Sequence, residues 1–202
     1  MKKRYITAAI CVAAALILGL CTAAQADQQR LSSKIIRLHV VAASDTAGDQ
    51  AVKLQVRDAV LRETNAALQD AQDAGRALYA ALPEIERAAN RTLQAAGSKD
   101  TARVTLRHEL FPTREYDTFR LPAGVYRSLR VSIGEAAGQN WWCVVFPALC
   151  LSAGAEELEA QAAGAGFTPE ELQLITGEDE GIELEFKTLE LLGKLKEFLW
   201  DA

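Results

Sequence analysis

The residues best suited to chemistry in this chain are two cysteines and two histidines. Cys143 and Cys150 bound a mostly apolar segment, and His39 and His108 are the only histidines. A cysteine activated by a nearby histidine is a nucleophile, so an exported Cys/His hydrolase acting on peptide or cell-wall amides is one hypothesis. Cys143 lies inside the apolar run at residues 141–146, where burial would suppress thiolate formation. A binding function is therefore favoured over catalysis.

No other motif supports catalysis or cofactor binding. The sequence contains no serine nucleophile elbow, no Walker loop, no HExxH motif and no His/Cys spacing typical of a metal site. Asp45, Asp49 and Asp58 are spaced like helix caps and surface charges rather than like a paired acid/base site. We therefore predict no enzyme activity, no cofactor and no metal.

The N-terminal residues have the three parts of an export signal. Basic residues 2–4 precede an apolar run from Ile6 to Leu20, and small residues follow as far as Ala26. The run is short for a membrane-spanning helix, which needs roughly 20 residues. We expect export and cleavage after Ala26. The alternatives are an uncleaved N-terminal anchor and a lipoprotein site at Cys21.

Export bears on the state of the remaining cysteines. Cys11 and Cys21 would leave with the signal, so Cys143 and Cys150 would form an even pair in an oxidising or redox-open compartment. A disulfide between them would close a short loop and contribute about 2–3 kcal/mol in the chain-entropy model. The alternative is two buried thiols, because Cys is among the most buried residue types.

The net charge excludes several kinds of partner. The formal net charge of the 202-residue chain is −5, and loss of the three basic residues in the signal changes it to −8. An acidic chain is repelled by nucleic-acid phosphates and by anionic lipid head groups. We expect no nucleic-acid binding, and no direct membrane binding after signal cleavage.

Four segments have the pattern of β-strands. Residues 35–42 are rich in β-branched side chains, and residues 103–110 and 125–133 alternate between polar and apolar types. Residues 141–146 form a fourth, more apolar strand. The last three strands follow one another through loops, which predicts an antiparallel meander.

Helical patterns lie between and after these strands. Residues 48–68 carry two apolar stripes, which predicts a helix packed on two sides. A proline predicts a break in the next helical region and a new helix over residues 83–96. Helices are also expected at residues 155–165 and from Thr168. The last segment, residues 190–201, has the pattern of an amphipathic helix that packs on the core.

Together these elements predict an α+β fold: a mainly antiparallel sheet with helices packed on one face, after an N-terminal signal segment. The expected organisation is a signal peptide at residues 1–26, a linker at 27–34 and a core domain at 35–150. The acidic C-terminal segment at 151–202 would pack on that core.

Basic and aromatic side chains lie on or beside the predicted sheet. Arg and Tyr are common binding anchors, so a shared face would be a candidate recognition surface. The alternative is a solvated face, as antiparallel sheets often have. The side chains are Arg37, His39, Arg103, Arg107, Tyr126, Arg127 and Arg130.

Several motifs, in order, resemble those of the stage II sporulation protein R family. The resemblance extends from Ile35 to Cys150, with a looser similarity at residues 186–199. The motifs are Arg37–Asp45, Asp49–Leu61, Phe111–Arg114, Pro122–Val131 and Asn140–Pro147. Three small residues depart from the family pattern: Ala43 replaces Asn, Ala136 replaces Gly, and Ala148 replaces a second Pro. These departures bear on local turn geometry.

The resemblance implies an intercellular signal of endospore formation. Proteins of this family are made in the forespore and secreted across its membrane into the intermembrane space. There they trigger a membrane-embedded aspartic protease of the mother cell, which cleaves the pro-segment from a sigma factor precursor. The implied partner is the extracytoplasmic part of that protease. A passive exported structural protein is a further alternative.

For the contact with this partner we select seven residues from the motifs. The motifs themselves do not separate binding residues from residues that determine the fold. The selected residues are His39, Asp45, Arg57, Asp58, Arg114, Trp141 and Trp142.

Overall fold

The computed structural model describes residues 25–149 and 155–177, together with five single positions before residue 25. Cys150, the amphipathic pattern at residues 190–201 and most of the signal segment lie outside the described residues. None of the helices described is long and apolar enough to cross a membrane.

The chain forms two compact units. The first comprises Ser33–Glu109 and Tyr126–Gly166, and the described part of the second comprises residues 25–32, 110–125 and 167–177. The strands are β1 (Ile36–Val41), β2 (Ala102–Phe111), β3 (Arg114–Glu115), β4 (Arg120–Leu121), β5 (Gly124–Ile133) and β6 (Asn140–Phe146). The helices are α1 (residues 25–33), α2 (Ala47–Leu68), α3 (Ala74–Ala95), α4 (Ala155–Gly164) and α5 (Pro169–Thr176).

A four-stranded, mostly antiparallel sheet has the order β2-β5-β1-β6. Strand β1 runs parallel to β5 and antiparallel to β6. The predicted α+β class and the four strand segments are confirmed, but the meander is wrong because β1 lies between β5 and β6. Every residue of β1 is buried. A strand that is apolar on one face and buried on both is most stable in a central position, where neighbours cover it.

The hydrophobic core lies on the sheet face that packs against α2 and α3. Alternate residues of each strand point into it, because side chains of a strand alternate between its two faces. The strand residues of the core are Ile36, Leu38, Val40, Ala102, Val104, Leu129, Val131, Ile133, Cys143 and Val145. From the helices, Val56, Val60, Leu78, Ile85, Ala89 and Leu93 pack against them. This arrangement confirms the helices on the sheet.

Helix α2 begins at an N-cap that the sequence pattern did not identify. Thr46 is the capping residue, and its hydroxyl accepts a hydrogen bond from the amide of Asp49 at 3.2 Å. The predicted second apolar stripe is divided: Leu61 and Leu68 pack partly against the core, whereas Leu54 is exposed. One end of the stripe is therefore left at the surface.

Helix α3 is continuous through Pro83, so the predicted break is wrong. It begins after Asp73, whose carboxylate accepts from the amide of Arg76 at 3.0 Å. The buried residues Leu78, before the proline, and Ile85, after it, belong to one apolar stripe. Burial of this stripe along the whole helix outweighs the backbone hydrogen bond that a proline cannot donate.

The second unit contains a short strand pair and the short helix α5. Strands β3 and β4 pair antiparallel, and the rings of Tyr116 and Phe119 stack between them with centroids 4.5 Å apart. The sequence predicted only a loop here. Helix α5 begins with a capping box in which Thr168 and Glu171 each satisfy the other's backbone amide. The predicted helix start at Thr168 is confirmed.

Candidate functional site

A polar cluster covers the sheet face opposite the hydrophobic core. We call it the Glu109 cluster; its members are His39 on β1, Arg107 and Glu109 on β2, Arg130 on β5, and Asn140 and Trp142 on β6. All four strands contribute. The cluster exists because β1 separates β5 from β6, which brings His39 between Arg130 and Trp142 in the strand register.

Glu109 is the centre of this cluster. One carboxylate oxygen accepts hydrogen bonds from Arg107 at 2.7 Å and from Arg130 at 2.9 Å. The other lies 3.4 Å from Nδ1 of His39. Only 11% of the Glu109 side chain is exposed. Ionic hydrogen bonds at such a site are stronger than those at the surface, because less water screens them.

The ionisation of Glu109 reflects two opposing effects. Burial alone would raise the pKa of this carboxyl. Hydrogen bonds outweigh burial and hold the pKa well below its ordinary value of 4.5. The groups that lower the pKa are His39, Ser128, Arg107 and Arg130, and the two arginines donate to the carboxylate. The cluster therefore contains a carboxylate at neutral pH.

His39 is held on every side. Its Nε2 lies 2.7 Å from the side-chain oxygen of Asn140, and its ring stacks on Trp142 with centroids 3.8 Å apart and planes at 16°. With Nε2 donating to Asn140, Nδ1 accepts from Arg130 at 3.2 Å when the ring is neutral. The buried ring thereby ties β6 to β5 across β1.

The geometry does not bring the candidate nucleophile and base together. Cys143 pairs with Leu38 in the core, whereas His39 pairs with Trp142 on the polar face. The sheet itself separates the Cys143 sulfur from the imidazole. His108 lies on β2, three strands away in the sheet order. Cys143 is buried, and the predicted disulfide to Cys150 stays a prediction because Cys150 is outside the described residues.

Asp45 takes part in a group of hydrogen bonds that joins the start of α2 to the connection from β5 to β6. Its carboxylate accepts from the Gln139 amide at 2.7 Å. Lys53, which is buried, donates to the Gln139 carbonyl at 3.1 Å and to Gln50 at 2.6 Å. Burial lowers the pKa of Lys53, and the nearby charge of Asp45 partly opposes that effect. Asp45 therefore has a structural contact.

Arg57, Asp58 and Trp141 form an accessible group on the helix side of the sheet. The Arg57 guanidinium carbon lies 4.4 Å from the Trp141 ring centroid, and Arg57 donates to Asp58 at 2.7 Å. Trp141 is 36% exposed. On helix α2, which carries Arg57 and Asp58, the exposed Leu54 lies one turn before Asp58. We call Leu54, Arg57, Asp58 and Trp141 the Trp141 surface. Its cation–π pair holds an aromatic ring at the protein surface.

Arg114, Arg127 and Arg37 lie outside both the Glu109 cluster and the Trp141 surface. Arg114 is exposed on β3 in the second unit. Arg127 does not join the polar sheet face, since its guanidinium lies against Gly75 of α3. Arg37 is buried with its guanidinium over the Tyr126 ring at 5.0 Å. The predicted basic face is therefore buried at Arg37 and exposed at Arg103 and Arg107.

Glu109 is the residue that sequence reasoning missed. The available signal was weak: Arg107 and Glu109 are two apart and so share one face of a strand. Their partners come from positions 39 and 130, which only the strand order brings close. Among residues 25–149 and 155–177, no three His, Cys, Asp or Glu side chains are grouped to hold a metal ion.

Comparisons with known proteins agree with the motifs. The family model described as Stage II sporulation protein R matches residues 32–156, which is more than half of the chain. A protein of Bacillus subtilis (strain 168) named Stage II sporulation protein R is 36% identical over 123 residues. That match covers 59% of this chain and 55% of the relative, so the chain spans about half the length of this curated relative. No solved structure matches the chain.

Proposed function

Because the chain belongs to the stage II sporulation protein R family, a family of sporulation proteins, we propose that it acts as an exported signal. In this proposal the chain is secreted across the forespore membrane into the intermembrane space. It binds the extracytoplasmic part of a membrane-embedded aspartic protease of the mother cell. The activated protease then processes a sigma factor precursor.

The accessible Trp141 surface is the observation that carries this proposal. Aromatic and arginine side chains dominate binding energy at protein interfaces, especially where neighbouring groups already hold them in place. Arg57 stacks on Trp141 and is itself fixed by Asp58, so little side-chain freedom is lost on binding. His39 and Trp142, in contrast, are held inside the Glu109 cluster and contribute by positioning β6.

Activation requires a preference for one state of the protease. A ligand shifts a conformational equilibrium only by the difference between its affinities for the two states. The backbone that carries the Trp141 surface is anchored in the packed core, to which α2 and β6 both contribute. We expect such a preorganised surface to favour the protease conformation that is complementary to it.

Co-expression tests the proposed function. The chain, the protease and the sigma precursor are produced together in a host that does not sporulate, and processing is followed by the size of the precursor. We expect processing only when this chain is present. Trp141→Ala should weaken binding by at least 2 kcal/mol, or about 30-fold, and reduce processing accordingly.

Tyr79→Ala is the matched control for Trp141→Ala. Tyr79 is also an exposed aromatic residue, but it lies on α3, away from the Trp141 surface in sequence and element. It should leave processing unchanged. Urea denaturation of the purified variants separates a loss of binding from a loss of folding. Processing without this chain would contradict the proposed function. Full processing with Trp141→Ala would show that the Trp141 surface is not the contact.

A further inference from the structure

Three arginines extend along the polar sheet face from β2 to β5. We call Arg103, Arg107 and Arg130 the arginine strip. Arg103 and Arg107 are four residues apart on one face of β2, and both are exposed, with 52% of the Arg107 side chain accessible. Arg130 on the neighbouring strand β5 is 23% exposed. The strip therefore presents fixed positive charge at the edge of the Glu109 cluster.

The charge of this face is opposite to that of the chain. On the described strands, Arg103, Arg107 and Arg130 share this face with a single carboxylate, that of Glu109. The whole chain has a formal net charge of −5. Such segregation produces a local positive potential that attracts and orients an acidic partner.

The cluster itself shows which anion the strip accommodates. Arg107 and Arg130 both donate to one carboxylate oxygen of Glu109, at 2.7 and 2.9 Å. Guanidinium groups bind phosphates as well as carboxylates, and the arrangement present in this chain is the one with a protein carboxylate. A protein carboxylate is therefore the better match.

We propose that the arginine strip docks an acidic, extended segment of the partner protein. Arg103 and Arg107 are separated by roughly 13 Å along the strand, at about 3.3 Å per residue. Two carboxylates four residues apart in an extended segment have the same spacing. This inference rests on the proposed function and names the chemistry of a second contact, in addition to the Trp141 surface.

A labelled ten-residue glutamate peptide serves as the probe. Its binding to the purified chain is measured by fluorescence anisotropy over a range of NaCl concentrations. We expect saturable binding that weakens as salt increases, because exposed charge pairs are screened. Arg103→Glu/Arg107→Glu should weaken binding about tenfold, since two attractions become two repulsions.

Two further variants keep this test independent of folding. Arg103→Glu alone leaves the hydrogen bonds from Arg107 and Arg130 to Glu109 intact and should weaken peptide binding about threefold. Arg91→Glu/Lys99→Glu changes the net charge as much as the double variant, at exposed positions outside the strip, and should bind like the unmodified chain. Equal binding by the unmodified chain and both strip variants would overturn the proposal.

Other occupants give different outcomes. Arginine-dependent binding to phosphatidylglycerol vesicles, without binding to the peptide, would assign the strip to a membrane surface. A tenfold gain in peptide binding after neutralising Glu178, Asp179 and Glu180 would assign it to the acidic segment of this chain. The vesicle result would overturn the proposal, whereas the gain in peptide binding would support an acidic occupant and identify the chain's own acidic residues as competitors for the strip.

The processing assay distinguishes this inference from the proposed function. If the unmodified chain supports processing and Arg103→Glu lowers it, both stand. If Arg103→Glu and the double variant support processing as well as the unmodified chain does, the proposed docking at the arginine strip is wrong, while the proposed signalling function remains. If the unmodified chain does not affect processing, the proposed function itself fails.

Discussion

Replacing Glu109 by glutamine tests whether the Glu109 cluster stabilises the sheet. The change keeps the shape of the side chain and removes its charge. The carboxylate receives a hydrogen bond from Arg130 at 2.9 Å and one from Arg107 at 2.7 Å. The bond from Arg130 falls in the range of about 1.5–3 kcal/mol for hydrogen bonds to charged groups. Arg107 is half exposed, so its contribution is discounted to below about 1 kcal/mol. We expect the free energy of unfolding to fall by about 2–3 kcal/mol.

Glu84→Gln provides a closely matched control. Glu84 also contacts two arginines, Arg87 and Arg91, but it is 43% exposed on α3. Surface ion pairs contribute little because water screens them. We expect Glu84→Gln to lower the free energy of unfolding by less than about 1 kcal/mol. The two variants differ mainly in burial, so their comparison isolates its effect.

The pH dependence gives a second readout of the same substitution. The pKa of Glu109 is depressed in the folded chain, so below its ordinary value of 4.5 the unfolded chain binds more protons. The stabilisation is therefore present above about pH 4.5 and is lost as the pH falls further. The difference between the unmodified chain and Glu109→Gln should shrink over that range.

Urea denaturation followed by tryptophan fluorescence, at several pH values, measures both quantities. Two results would refute the reasoning about the cluster. One is a loss at pH 7 no larger than that of Glu84→Gln. The other is a difference between the variant and the unmodified chain that stays constant as the pH falls below 4.5.

The same denaturation assay checks three backbone predictions. Ala136 has φ of +52°, so Ala136→Gly should raise the free energy of unfolding by about 0.5–1 kcal/mol; a decrease would contradict strain there. A Cβ at position 138 would overlap the Ser44 carbonyl oxygen, so Gly138→Ala should lower the free energy of unfolding by more than about 2 kcal/mol; unchanged stability would contradict the overlap. Pro83→Ala restores a helix hydrogen bond and should raise the free energy of unfolding by about 1 kcal/mol; no gain would mean that α3 is already adapted to the proline.

Local patterns predicted the elements of this fold better than their arrangement. The alternation of Leu129, Val131 and Ile133 identified the core face of β5 correctly, because burial of one face imposes a period of two. Pairing of β1 with β5 and β6 depends on residues roughly a hundred positions apart in sequence, on which local periodicity has no bearing. The departure at Ala136 was a local signal, and the structure places that residue in a left-handed turn.

The candidate site was harder to predict because it is an outcome of strand order. Glu109 looked like an ordinary polar strand residue, and its partners His39 and Arg130 come from two other strands. Trp141 and Trp142 were selected together, yet they point to opposite faces of β6. Residue type identified both as candidates, but only the register of β6 on β1 separates the accessible ring from the enclosed one.

That separation connects the Glu109 cluster to the proposed binding surface. Successive side chains of a strand point in opposite directions, so fixing Trp142 on one face also determines where Trp141 lies on the other. His39 stacks on Trp142 and contacts Asn140, and thereby holds β6 on both sides of Trp141 in sequence. A change that releases His39 should therefore disturb the Arg57–Trp141 contact across the sheet. Under the proposed function, the cluster supports binding by positioning β6, and His39 and Trp142 are expected to make no contact with the partner.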